Sequence, residues 1–122
     1  MSTELKAVCR AADGEVIETA WGRLVWTASG QIGNSAKMSL GRATIRAGKE
    51  NPRHRHPNCD EILHLIAGRI DHTLGDESFI MEPGDTISIP SGIWHQARAL
   101  DGADAEMVIA FSSADRETEM EG

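Results

Sequence analysis

The 122-residue chain reads as an all-β protein, a sandwich or barrel of short strands joined by tight turns. Two observations predict this. Glycine and proline punctuate the chain at Asp13-Gly14, Gly30 to Gly33, Gly48, Pro57-Asn58, Gly68, Gly75-Asp76, Pro83-Gly84, Pro90 to Gly92 and Asp101-Gly102, and the stretches between them are about as long as single strands. Several of those stretches alternate apolar with polar residues or are rich in β-formers, the pattern of a strand with one face in a core.

Taken in order, the strand candidates are Arg23 to Thr27, Lys37 to Arg46, Glu61 to Ala67, Arg69 to Leu74, Ser78 to Met81, Thr86 to Ile89, His95 to Ala99 and Glu106 to Ser112. In Lys37 to Arg46 the apolar phase runs through Met38 and Leu40, then through Ala43 and Ile45, a one-residue slip that predicts a bulge beside Gly41. Ile62 to Ala67 is apolar except for His64, which predicts burial on both faces and hence a subunit interface, a homodimer. Helical spacing occurs only in Ser2 to Ala12, through Leu5, Val8 and Ala12. Residues 1–36 should pack on or extend a barrel core of residues 37–114. The almost wholly polar tail, 115–122, should fray.

Composition narrows the partners. With 40% hydrophobic and 25% charged residues the chain has an ordinary globular balance. Its net charge of −7 opposes phosphate backbones and anionic membranes, so nucleic acid and membrane are excluded as expected partners. The longest purely apolar run, Met107 to Phe111, is far too short to span a bilayer, and no export signal opens the chain. Cys9 and Cys59 are too few for a disulfide scaffold, so free thiols in the reducing cytoplasm are expected.

The chemistry concentrates in four residues, three histidines and a glutamate, at fixed spacing. His54 and His56 are two apart, so on a strand both imidazoles leave one face and converge on one ion. Pro57-Asn58 turns the chain, Glu61 opens the next strand with a carboxylate, and His95 begins another after the Pro90-Ser91-Gly92 turn. Three imidazoles and a carboxylate suit a first-row divalent metal, leaving iron(II), manganese(II), nickel, copper and zinc open.

The spacing is Gly48, five residues, His54, one, His56, four, Glu61, six and Gly68, followed later by Gly84, five, Pro90, one, Gly92, two and His95. It resembles the two motifs of the cupin superfamily, particularly its small single-domain bacterial members. Multiplying the chain's own residue frequencies over about a hundred starting points puts chance occurrence of the first motif on the order of 10⁻⁴. Only the final Asn of the second motif departs, replaced by Ala99. The resemblance implies a jelly-roll barrel (double-stranded β-helix), usually dimeric. It also implies that His54, His56, Glu61 and His95 bind one metal ion per chain, with iron or manganese favoured. The change at Ala99 removes a polar group from an inward position and bears on substrate contacts, not on the metal.

Other polar and aromatic residues carry weaker readings. Arg42 and Arg46 share a strand phase and would clamp a substrate carboxylate if that face looks into the barrel. Trp94, next to His95, is the aromatic expected to shape the pocket mouth. Trp21, Trp26, Met38, Met81 and Met107 read as packing residues. His64, three after Glu61, should point to the opposite face, and His72 has no spacing argument. Arg53 and Arg55 should point away from the metal toward surface carboxylates. The expected function is a metal-dependent enzyme on a small polar or carboxylated metabolite, with dioxygenase chemistry first and isomerase or lyase chemistry close behind. The alternative is a non-catalytic small-ligand or metal sensor. The chain contains no tyrosine to serve as an acid or base.

Overall fold

The protein is described by a computed structural model over residues 7–122. Eleven strands follow one another: β1 (Glu15–Glu18), β2 (Gly22–Ala28), β3 (Ser39–Ile45), β4 (His54–Arg55), β5 (Glu61–Ala67), β6 (Ile70–Leu74), β7 (Glu77–Met81), β8 (Thr86–Ile89), β9 (His95–Ala99), β10 (Ala105–Phe111) and β11 (Glu119–Met120). They form two antiparallel sheets, ordered β1-β2-β3-β10-β5-β8 and β11-β4-β9-β6-β7, that face each other as a jelly roll. Each of the eight strand candidates overlaps a strand, with bounds that differ by at most two residues. The other three span four, two and two residues, too few for an alternation to show.

Alternation decides what faces inward. β3 and β10 bury every second residue, and β9 turns His95, Ala97 and Ala99 to the core. The barrel is solid at one end, where Leu65, Ile70, Met81, Ala99 and Ala105 pack together. It is hollow at the other, where Ala43, Ile45, Leu63, Ala97 and Met107 line a cavity. At the solid end Gly68 makes the β5–β6 reversal with φ of 80°, and a Cβ there would stand 2.4 Å from the Asp104 carbonyl oxygen. A side chain is excluded both by backbone conformation and by that close approach.

Several expectations need correction. β3 has no slip: Ser39, Gly41, Ala43 and Ile45 share one buried phase, and Met38 is exposed rather than core-filling. The irregularity instead lies in β2, between Trp26 and Ala28, opposite Gly41 and Leu40. Beside it the Trp26 ring would come within 2.7 Å of a Cβ at Gly41; the glycine makes room for the indole. Ile62 and Ile66 are 44% and 52% exposed on the outer face of β5, so within one chain this strand is buried on one face only. Of the expected helix, Ser2 to Lys6 lie outside the described residues, and the remainder holds only a 3-10 turn at Ala11–Asp13. Residues 1–36 do extend the barrel, through β1 and β2.

The tail departs most from expectation. It crosses the hollow end as a strap and ends in β11, which pairs with β4 at Glu119↔Arg55 and Met120↔His54. Asn58 holds it at both faces of the turn, donating to the Asp115 carbonyl at 3.0 Å and accepting from the Glu117 amide at 2.8 Å. Arg53 and Arg55 reach Glu121 and Glu119, each at 3.1 Å.

Candidate metal centre

The two motifs meet across one register pair. β4 and β9 are paired at His54↔His95, so these two imidazoles stand side by side on the inner face of the five-stranded sheet. Their ring centres are 4.2 Å apart. His56 follows at the end of β4, and Glu61 projects from β5 of the facing sheet. The four ligand atoms lie within 4.8 Å of one another, all on side chains that line the cavity of about 210 Å³.

Each imidazole is oriented by its own backbone contact. Nδ1 of His54 lies 2.7 Å from the Pro52 carbonyl, that of His56 2.9 Å from the Glu117 carbonyl, and that of His95 2.9 Å from the Ile93 carbonyl. A carbonyl only accepts, so Nδ1–H donates in all three and Nε2 is left to face the cavity. One of these orienting carbonyls belongs to the strap.

The centre has an unmet need that fits a cation. Nε2 of His56 and of His95 stand 3.3 and 3.2 Å from Glu61 Oε1, yet none of these three buried atoms has a hydrogen-bond partner among the described residues. Buried polar atoms without partners are costly, and a divalent ion accepts electron pairs from all of them at once. Burial pushes the Glu61 carboxyl up, and only a proton or positive charge shared with the His56 and His95 imidazoles holds it low, a part that a cation among the three atoms would take over. Burial, reinforced by His95, lowers His54 to about 4 and keeps it neutral. His54, His56, Glu61 and His95 therefore come together as a donor set that a divalent metal fits.

The other sequence candidates do not reach the cavity. Arg42 and Arg46 are exposed on the outer phase of β3, where Arg46 lies 3.6 Å from Glu18. With no slip in β3, the phase that holds Ala43 and Ile45 inward holds both arginines outward. Trp94 precedes inward-facing His95 and so faces outward, beneath the Arg55 guanidinium at 4.5 Å. His64 lies on the outer phase of β5, its Nδ1 2.7 Å from Thr86 Oγ1.

Two cavity residues escaped the sequence reading. His72 is 1% exposed and lies parallel to His95, with ring centres 5.9 Å apart. The alternation Ile70-x-His72-x-Leu74 carried the signal, since an apolar phase on both sides places His72 inward. Arg116 enters from the strap and had no local signal. Burial first, then His95, lowers His72 to about 4. An unfolded chain takes up that proton near 6.5, before the folded one does, so stability should be lost as pH falls from about 6.5 to about 4. At about 1.4 kcal/mol per pH unit the loss from His72 is about 3 kcal/mol. Urea midpoints of metal-free protein at pH 7 and pH 4.5 check this, and His72→Leu should reduce the dependence and leave the share that His54 contributes.

The Cupin domain family model matches residues 41–111. This chain belongs to the cupin family. Among relatives, the cupin is 33% identical over 85 residues to Germin-like protein 3-8 of Oryza sativa subsp. japonica, covering 66% of this chain and 38% of that protein. It is 31% identical over 88 residues to Oxalate oxidase GF-2.8 of Triticum aestivum, covering 66% and 39%. Its fold matches oxalate decarboxylase from Bacillus subtilis with a TM-score of 0.82 at 20% identity, over 91% of this chain and 30% of that one. The oxalate decarboxylase of Lactobacillus farciminis, in a formate complex, matches at 0.82 and 17% identity, over 89% and 34%. The cupin thus spans about two fifths of these two relatives and about a third of the two solved chains. No helix among the described residues is long and apolar enough to cross a membrane.

Proposed function

We propose that this cupin is a metal-dependent enzyme that holds one divalent ion through His54, His56, Glu61 and His95 and acts on a small polar or carboxylated metabolite. Dioxygenase chemistry stands first, with isomerase or lyase chemistry next. The observation that carries the reading is the convergence of four ligand atoms within 4.8 Å in a cavity otherwise walled largely by apolar side chains. Iron and manganese are the favoured metals; the Bacillus subtilis oxalate decarboxylase of the same fold has Mn(II) centres. When bound, such an ion supplies Lewis-acid polarisation of a substrate oxygen and, for iron or manganese, redox capacity toward O₂.

The chain's own residues supply the rest. The Nδ1–H bonds of His54, His56 and His95 orient each ring so that Nε2 faces the ion, and Glu61 contributes one negative charge. Leu24, Leu63, Met107 and Ile109 give the cavity apolar walls, which strengthen electrostatic interactions inside it. Oxygen uptake and product analysis over a panel of small acids, with iron, manganese, nickel, copper and zinc forms, test the proposal. Turnover with O₂ consumption is expected with the iron or manganese form. Product without O₂ consumption assigns an isomerase or lyase, and ligand-induced stabilisation without product in any form assigns a sensor.

We also place the working protein in the cytoplasm as a homodimer. Two free cysteines fit a reducing compartment, and a second copy would cover exposed Ile62 and Ile66. Light scattering on the eluted peak should give about twice the 13.2 kDa chain mass, and Ile62→Glu/Ile66→Glu should shift it to the monomer. A 13.2 kDa species across micromolar concentrations rejects the dimer.

A further inference from the structure

We propose that Arg116, carried into the metal cavity by the C-terminal strap, is the anchor for the carboxylate of a monoanionic ligand whose remaining body is apolar. The proposal rests on the metal-centre reading above and narrows its substrate class. Among the described residues Arg116 is the only lysine or arginine lining the cavity, and Glu61 is the only carboxylate. Glu61 faces the imidazoles, so it is committed to the centre.

The guanidinium is positioned but unused. Its central carbon lies over Trp26, 4.1 Å from the ring centre, and 5.3 Å from the centre of the Phe111 ring. Among the described residues it makes no hydrogen bond or ion pair, and its buried Nε has no partner. The aromatic contact satisfies the charge without using any N–H, so the donors of the planar group remain for an acceptor. A carboxylate matches that fork with two parallel bonds. Phe111 in turn stands edge-on to His56, with ring centres 4.9 Å apart, so the anchor and the metal centre share one wall.

Two further observations fix where and what the ligand is. Arg116 also borders an outer cleft of about 500 Å³, but Glu15 and Asp115 line that side and repel an anion. On the inner side the single negative charge, Glu61, would be offset by the metal. Beyond Arg116 the wall turns apolar through Trp21, Leu24, Leu63, Met107 and Ile109. A second carboxylate on the ligand would find no other cationic side chain there, whereas a branched hydrocarbon would be desolvated favourably.

The test uses the full chain loaded with redox-inert zinc and titrated calorimetrically with 3-methylbutanoate, its neutral amide and acetate. Wild type should prefer 3-methylbutanoate over the amide by about tenfold or more, the scale of a charge-assisted hydrogen bond. It should prefer it over acetate by a similar factor, since three carbons are added to an apolar wall. Arg116→Gln should bring acid and amide within about twofold at unchanged zinc content, and Arg116→Lys should retain part of the preference. An acid preference that survives Arg116→Gln at full zinc content overturns the anchor and leaves the metal centre standing. Equal affinity for acetate and 3-methylbutanoate overturns the apolar half of the proposal. Failure of wild type to hold zinc overturns the metal-centre reading itself; repeating the titration on metal-free chain then judges the anchor separately. Should Arg116→Gln not fold, the Nε–H resonance of Arg116 in wild type decides. It should move on adding 3-methylbutanoate and not on adding the amide, and no movement overturns the anchor.

Discussion

His56→Ala should reduce bound divalent metal from about one ion per chain to a level indistinguishable from a His54→Ala/His56→Ala control. Loss of an outer-shell partner alone costs about 10–100-fold in affinity, and this change removes a ligand, so a drop of more than about 100-fold is expected. It also frees the strap, because the Glu117 carbonyl loses its imidazole donor. Elemental analysis after reconstitution and dialysis measures the content. Undiminished metal in this variant would mean that the convergence of the four side chains has no bearing on binding. The metal-free fold should survive, since Leu65, Ile70, Met81, Ala99 and Ala105 at the solid end lie outside the cavity that His56 lines.

The opposite pattern is expected for Leu65→Ala. Leu65 is 0% exposed and belongs to the solid end with Ile70, Met81, Ala99 and Ala105. Truncation removes buried methyl groups and leaves a hole that β-sheet neighbours fill poorly, so unfolding free energy should fall by about 2–5 kcal/mol. That is a large part of the about 5–15 kcal/mol typical of a whole domain. Urea unfolding gives the loss directly, and metal analysis of the folded fraction should still find about one ion per chain. Together the two variants separate the end of the barrel that holds it folded from the end that holds the site. A Leu65→Ala loss below about 1 kcal/mol would place the core elsewhere.

Much of this arrangement was legible because it is local. Alternation located the long strands, and the His54-x-His56 spacing with Glu61 and His95 named the cluster. What escaped depends on partners distant in sequence. The irregularity near Gly41 was read in β3 because its residues carry the phase, but it belongs to β2, where Trp26 needs the space. With the phase of β3 interrupted in that reading, the face taken by Arg42 and Arg46 stays open in the sequence, and the unbroken β3 turns both outward. His72 was open to a period-two reading and was passed over for want of a motif. The strap could not be read at all: a two-residue strand has no period, and its polar residues earn their order from Asn58, His56, Arg53 and Arg55, some sixty residues upstream.

The pairing of Met120 with His54, and of His54 with His95, also sets the order of events when the chain is made. Residues 54 and 56 emerge from the ribosome early, but the neighbour of His54 and the carbonyl that orients His56 come from residues 120 and 117. Closing a span that long is entropically slow compared with forming a hairpin. The cage is therefore completed only when almost the whole barrel has been synthesised, and a nascent chain carries its histidines unassembled. The strap closes over a cluster whose four donors all lie upstream of it, and the orientation of His56 is the last part of the site to be fixed.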